Sequence, residues 1–277
     1  MNRAAEHLSD IRGLHPRVLY TDLDGTVFGP GGSLFAASDG RTTRRAAEAL
    51  AALHQVGIDL VPVSGRTVSQ VRETARLLGA RDFIAELGGV TCYDLGREVV
   101  RVPFDRGGTP YQALAGSGAA GLLLEAFPGR IEPHAPWSFE ARETSMLFRG
   151  HVDLDEARSL LERNGYGWVD LQDNGIIGRR FEGLDVAQVH AYHLVPRGVG
   201  KAAAVRAYLR RRGLGPDDSA AVGDSASDAA LAPLVGAVFI VANGRDALEG
   251  PPEDNVYLTD GSFGDGFAEA VGALVGR

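Results

Sequence analysis

The chain has 277 residues, about 1.8 times a ~150-residue domain, so one large domain or two modest ones are expected. A hydrophobic fraction of 44% supplies a core, yet no apolar run approaches the ~18 residues of a membrane span and the N-terminus lacks a leader-like apolar stretch, so a soluble cytoplasmic protein with no membrane partner is expected. A net charge of −8 without a basic tract argues against nucleic acid as a partner, and one cysteine, Cys92, excludes an internal disulfide framework and a multi-cysteine zinc site.

In chain order, the first strand signal is 17–21, running into Asp22-Leu23-Asp24-Gly25-Thr26. A helix is predicted over 43–56, with Ala46, Ala49, Leu50 and Leu53 at helical spacing and Gly57 as terminator. The run 58–63 reads as a buried strand despite Pro62, and 67–78 as a helix with Val68, Val71, Ala75 and Leu78 on one face. After Phe83-Ile84-Ala85 the rhythm changes at the hinge-like Glu86-Leu87-Gly88-Gly89. Strands are predicted at 98–102, 144–149, 166–171 and 187–194, with helices near 110–126 and 153–164. From Lys201 the alternation resumes: a helix to Arg212, a strand at 220–222, a helix at 226–235, a strand at 237–241 and a last helix at 265–275. The predicted fold is α/β, a doubly wound Rossmann-like parallel-sheet core (1–86 and 195–277) interrupted by an inserted α+β cap (87–194).

Four polar clusters follow strands, where ligands of doubly wound sheets bind. Asp22 and Asp24 sit two apart at a strand end, and Gly25 lets the chain bend so that both face one crevice. Two such carboxylates can divide nucleophile or metal-ligand duty from acid/base duty, although Asp-Gly is also an ordinary turn. Ser64-Gly65-Arg66-Thr67 opens a helix, where a hydroxyl and free N–H groups suit a phosphate, or serve as a plain N-cap. Lys201 is the only lysine among 28 cationic residues. It stands in a first helical turn, where the dipole disfavours a cation, so an ammonium-specific role competes with a solvated surface position. It is not a Walker A lysine, because Val195 occupies the first glycine position and Ala202 follows it. Finally, Asp224 and Asp228 lie four apart at a strand–helix junction, a carboxylate contribution suited to a hard cation such as Mg2+. Each cluster alone has a bland explanation; four in order, each beyond a strand end, do not.

Together these motifs resemble the haloacid dehalogenase superfamily of phosphatases. Asp22-Leu23-Asp24-Gly25-Thr26 matches the first motif and Ser64-Gly65-Arg66 the second, with Ser for the usual Thr. Lys201 fits the third, and Gly223-Asp224-Ser225-Ala226-Ser227-Asp228 the fourth, with Ser227 for the usual Asn. The insert between the second and third motifs is similar to the Cof-like subgroup with a C2-type (IIB) cap, which includes sucrose-phosphate, trehalose-phosphate and mannosyl-3-phosphoglycerate phosphatases. Residues 241–244 and 259–266 also resemble its C-terminal segments.

The resemblance implies that Asp22 attacks phosphorus, Asp24 serves as acid and base, and Ser64, the 65–66 backbone and Lys201 hold phosphoryl oxygens. Mg2+ is then expected on Asp22, Asp224 and the Asp24 carbonyl, with Asp228 supporting the metal or Lys201. The substrate is expected to be a small phosphorylated metabolite, a sugar phosphate or a glycosyl-phosphoglycerate. The alternatives are a phosphohexomutase of the same superfamily and a non-catalytic phosphosugar-binding regulator, the latter predicting loss of Asp22 or Asp24. Glu143, Arg149, Asp173, Asn174, Arg179 and Arg180 are candidates for cap specificity, each weighed against solvated surface. His190 and His193, three apart on a strand, face opposite ways and make no metal pair, and Cys92 reads as an inert core residue. The sequence sets no oligomeric state.

Overall fold

A computed structural model describes residues 11, 14–248 and 251–276. Five strands form a parallel sheet in the order β12-β11-β10-β1-β2: β1 (Val18–Thr21), β2 (Asp59–Pro62), β10 (Ser219–Gly223), β11 (Ala237–Ile240) and β12 (Val256–Leu258). Successive side chains point to opposite faces of the sheet, so β1 divides its residues between two layers. Leu19 joins Leu60, Val222 and Phe239 under α1 (Arg45–Val56), α2 (Val68–Leu78) and α8 (Phe263–Val275). Val18 and Tyr20 join Val61, Val238 and Ile240 under α6 (Lys201–Arg212). Both faces are thus covered, as the near-continuous apolar strands require.

Beyond β2, the sheet continues through a single parallel bridge, Val63 to Ile84, into β3 (Phe83–Ala85). There it turns antiparallel through β4 (Val90–Tyr93) and β5 (Glu98–Arg101). Val90 and Cys92 pack in the same hydrophobic cluster as Leu19, so residues 90–101 lie with the parallel sheet even though they follow the hinge glycines.

The remaining insert has its own centre. An antiparallel sheet of order β6-β7-β9-β8 comprises β6 (Ile131–Pro133), β7 (Met146–Gly150), β8 (Val169–Ile177) and β9 (Val189–Pro196). It is backed by α3 (Pro110–Ser117), α4 (Ala119–Ala126) and α5 (Leu154–Arg163), and Leu114, Leu123, Phe148, Leu161, Leu171 and Leu194 fill the layer between.

Several predicted elements change shape for local reasons. The single helix at 110–126 is two, because Gly118 adopts φ +88° and ends the first. The helix at 226–235 is only α7 (Ala226–Ala229), with a separate 3-10 turn carrying Pro233 at 232–234. β4, β6 and β12 were not anticipated, and β8 extends six residues past its expected end through a bulge between Asp173 and Ile176. No helix among the described residues is long and apolar enough to cross a membrane.

Candidate active site

The carboxyl ends of β1, β2, β10 and β11 deliver the polar clusters to one edge of the parallel sheet. Asp22 follows β1, Ser64 lies two residues past β2, Asp224 follows β10, and Asn243 stands three past β11. Lys201, the first residue of α6, reaches back between two of them: Nζ donates to Asp22 Oδ1 at 2.7 Å and to Asp228 Oδ1 at 2.8 Å. Its side chain is only 1% exposed, so the solvated-surface reading of this lysine is excluded. Burial opposes its charge, but the two carboxylates outweigh burial and keep the ammonium protonated.

The carboxylates feel the opposite pull. Burial pushes the Asp22 carboxyl up to about 7; Lys201 opposes the rise, and Asp228 and Asp24 add to it. Burial also pushes Asp224 well above the carboxylate range, reinforced by Asp22 and Asp228. Asp228 is fully engaged: Oδ2 accepts from Ser225 Oγ at 2.6 Å, from Ser225 N at 3.2 Å and from Asp224 N at 3.3 Å. Asp224 has only long contacts, from Thr26 Oγ1 and Asn243 Nδ2, both at 3.4 Å. Asn243 also donates to the Gly25 carbonyl at 2.9 Å, tying the first-motif turn to the β11 end. Gly25 itself has φ +91°, and a Cβ there would stand 2.1 Å from Asp224 Oδ2.

This donor set fits a hard divalent cation. Three buried carboxylates share one lysine, which leaves an excess of two negative charges, and Asp224 lacks a close donor. Asp22, Asp224 and the Asp24 main-chain carbonyl would supply oxygens of the kind Mg2+ prefers. Among the described residues, no group of three or more His, Cys, Asp or Glu side chains is arranged to hold a metal. The four aspartates expected around it are therefore not gathered as four side-chain ligands. The Asp228 carboxylate is taken up by Lys201 and Ser225, and the half-exposed Asp24 side chain is gripped by Arg66 through Nε (2.7 Å) and Nη2 (2.5 Å).

In the second-motif turn, the cap that starts α2 falls on Thr67 and not on Ser64. Thr67 and Gln70 form a reciprocal capping box that starts α2, and Arg66 N donates to Ser64 Oγ at 3.2 Å. What the sequence did not foretell is its roof. A Cβ on Gly65 would meet His193 Nε2 at 2.6 Å and Asn174 Nδ2 at 2.8 Å, so the insert closes directly on this turn. Arg142 Nη1 donates to the Gly65 carbonyl at 3.0 Å and to Ser145 Oγ at 3.1 Å, and Ser145 Oγ lies 3.1 Å from His193 Nδ1. Burial, with Arg142 and Lys201 nearby, drives the His193 imidazole well below its ordinary range and keeps it neutral. Two open hollows, of about 340 and 370 Å³, lie instead around Asp59 and Arg212 at the opposite, amino-terminal edge of β1 and β2.

Of the candidates for cap specificity, only Asn174 contacts the second-motif turn. Glu143 pairs with Arg101, and Arg149 bonds Glu132 at 2.7 Å and covers the Phe181 ring with Arg179. Asp173 holds His190 at 2.6 Å, and Arg180 is exposed. His190 and His193 do face apart. Cys92 is buried and free, and burial pushes its thiol up to about 11. Arg142 and Ser145 escape a reading of the sequence, and His193 is considered there only as half of a metal pair, because their relevance depends on how the insert folds back and no local pattern encodes that. Asn243 had a signal, the resemblance of 241–244 to a family segment.

The model of the haloacid dehalogenase-like hydrolases matches residues 19–105. A phosphoglycolate phosphatase of Methanoculleus marisnigri is 28% identical over 257 residues, covering 92% of this chain and 95% of that one. Another from Archaeoglobus fulgidus is 26% identical over 261 residues, covering 92% and 96%. Among solved structures, the sucrose-phosphatase of Synechocystis, bound to sucrose and phosphate, superposes with a TM-score of 0.62 at 17% identity, covering 93% of this chain and 97% of that one. A haloacid dehalogenase-like hydrolase from B. subtilis gives 0.59 at 18% identity, covering 92% and 98%.

Proposed function

The chain belongs to the haloacid dehalogenase-like hydrolases and is a phosphoric monoester hydrolase; from that premise we propose that it uses Mg2+ and an aspartyl-phosphate on Asp22 to dephosphorylate a small phosphorylated metabolite. The observation that carries this reading is the enclosed Asp22–Lys201–Asp228 bridge. Lys201 holds Asp22 Oδ1, which leaves Oδ2 as the attacking oxygen. As the Oδ2–phosphorus bond forms, the ester P–O bond breaks, and the leaving alkoxide takes a proton from Asp24. Water then attacks phosphorus, Asp24 takes its proton, and phosphate departs from Asp22. One Asp24 oxygen must leave Arg66 before the carboxyl can carry that proton. Ser64, the Gly65–Arg66 backbone and Lys201 hold the charge spread over the phosphoryl oxygens. Asp22, Asp224 and the Asp24 carbonyl would hold Mg2+, whose charge would offset the repulsion between substrate dianion and carboxylates.

The substrate is first sought among phosphorylated small acids, because the curated relatives above are phosphoglycolate phosphatases. Sugar phosphates are the second class, suggested by the sucrose-phosphatase fold. We place the enzyme in the cytoplasm and its cap within 87–194. A phosphate-release screen with Mg2+ over phosphoglycolate, hexose phosphates and an aryl phosphate tests the reading. Turnover of none of them would defeat it, and stimulation by a sugar bisphosphate would favour the mutase instead.

A further inference from the structure

Six buried side-chain polar atoms among the described residues lack a hydrogen-bond partner, and four belong to the insert: Arg142 Nε, His134 Nδ1, Ser138 Oγ and Asn174 Oδ1. Folded proteins leave few such atoms, and a cluster of them beside a reaction centre is a site awaiting a ligand. Arg142 is the decisive member. It is 7% exposed and fixed by its Nη1 bond to the Gly65 carbonyl, one residue from Ser64. Its charge is not consumed by a neighbour. Glu86 spends its oxygens on the backbone N–H groups of Glu143, Thr144 and Ser145, at 2.7–3.3 Å, and Glu140 reaches Thr67 Oγ1 at 3.5 Å. The charges of Glu86 and Glu140 act on it without an ion pair to either, and the imidazoles beside it are neutral. Burial, then Arg149, Arg179 and Arg142, push His134 down to about 4, and His193 is held neutral as described.

A desolvated guanidinium whose Nε has no partner and which no carboxylate pairs directly, standing next to the second-motif turn, suits a second negative group on the same small molecule. We infer that Arg142 determines specificity by taking, through Nε, a carboxylate on the leaving group, so that the substrates are phosphorylated two- or three-carbon hydroxy acids. The inference rests on the phosphatase reading of the Asp22 site and deepens it.

The test compares phosphoglycolate with 2-hydroxyethyl phosphate, which replaces the carboxylate by a neutral hydroxymethyl group, and includes an aryl phosphate. The wild-type enzyme should prefer the acid by about thirtyfold or more in kcat/KM, since a site built around a charged hydrogen bond rejects the analogue lacking it. In R142Q that preference should collapse to within about threefold, chiefly through KM. R142K keeps the charge but has no Nε donor, and its preference should fall at least about fivefold; it decides the matter if R142Q does not fold. A wild-type preference under threefold, an R142Q loss equal on both esters, or an unchanged R142K preference would each overturn the assignment. Turnover of the aryl phosphate alongside any of these leaves the phosphatase reading standing, whereas absence of turnover on all three esters overturns both.

Discussion

Lys201→Arg keeps the charge and changes only the shape of the cation, which makes it the sharpest test of the bridge. The ammonium fits between Asp22 Oδ1 at 2.7 Å and Asp228 Oδ1 at 2.8 Å on a side chain 1% exposed. A guanidinium is wider, planar and forked, and the enclosure around Lys201 has no solvent side into which it can lean. Overpacking of this kind costs about 1–3 kcal/mol, which lowers the melting temperature of a chain this size by roughly 2 °C or more per kcal/mol. The catalytic penalty is separate. Shifting Asp22 by about 1 Å costs on the order of 100-fold in rate, and we expect kcat to fall at least tenfold, about 1.4 kcal/mol of transition-state stabilisation. Steady-state kinetics and urea unfolding of both proteins decide it. A variant within twofold of wild type in kcat with an unmoved unfolding midpoint refutes the reasoning. Lys201→Met should be worse, by about 3–5 kcal/mol, because it leaves two carboxylates buried without a counter-charge. That loss should be larger at pH 8 than at pH 5, since the lower pH lets the raised carboxyls take up protons in the folded state.

Asp22→Asn should retain native circular dichroism and keep less than a few per cent of phosphate release, because an amide does not attack phosphorus; greater residual turnover contradicts the nucleophile assignment. Activity should vanish in chelator and return with Mg2+, while Ca2+ should inhibit, because its looser coordination lets Asp22 bind through both oxygens. Calorimetric Mg2+ affinity should weaken from pH 8 to pH 6, with protons released on binding, since Asp22 at about 7 and the raised Asp224 hold protons there that the cation must displace; a pH-independent affinity goes against Asp22 and Asp224 as ligands. Gly65→Ala puts a methyl 2.6 Å from His193 Nε2, so kcat/KM should drop about tenfold or more as the insert is held off the turn, and a change under twofold argues that this closure is immaterial.

The core was legible because its signals are local. Short apolar strands between Gly terminators, and a Thr67–Gln70 box, specify their own geometry, and Gly57 and Gly79 end their helices in the left-handed conformation as read. Three of the four clusters fall on one edge for the same reason, because parallel connections place every strand's carboxyl end alike; Lys201 comes instead from the start of α6, after β9 of the insert. Errors arose where a local signal was overridden or hidden. An apolar run masks the break at Gly118, Val90–Tyr93 is a four-residue strand directly after the Gly88-Gly89 hinge, and β12 is only three residues long. At the site, the Asp–Lys–Asp bridge was inferable from motif order and from a lone lysine. The roof was not, because Arg142 meets a carbonyl 77 residues away and His193 comes from a strand whose own period says only which face it takes.

The phosphate turn and the closed cap are held by one network. Leu87 N donates to the Ser64 carbonyl and Glu86 N to the Arg66 carbonyl, both at 3.0 Å, so the hinge braces the turn from below. Glu86 and Leu87 adopt φ of +50° and +57°, a conformation that costs non-glycine residues energy and persists only where neighbours enforce it. The enforcement comes from the cap. The buried Glu86 carboxylate collects three backbone N–H groups at 143–145, and the adjacent Arg142 returns to the Gly65 carbonyl. Opening the cap would therefore strip a buried carboxylate of its donors and release the strained hinge beneath the phosphate turn. On the proposed reading, a ligand that bridges Ser64 and Arg142 would stabilise the closed arrangement at both ends and so couple its binding to this network through Glu86.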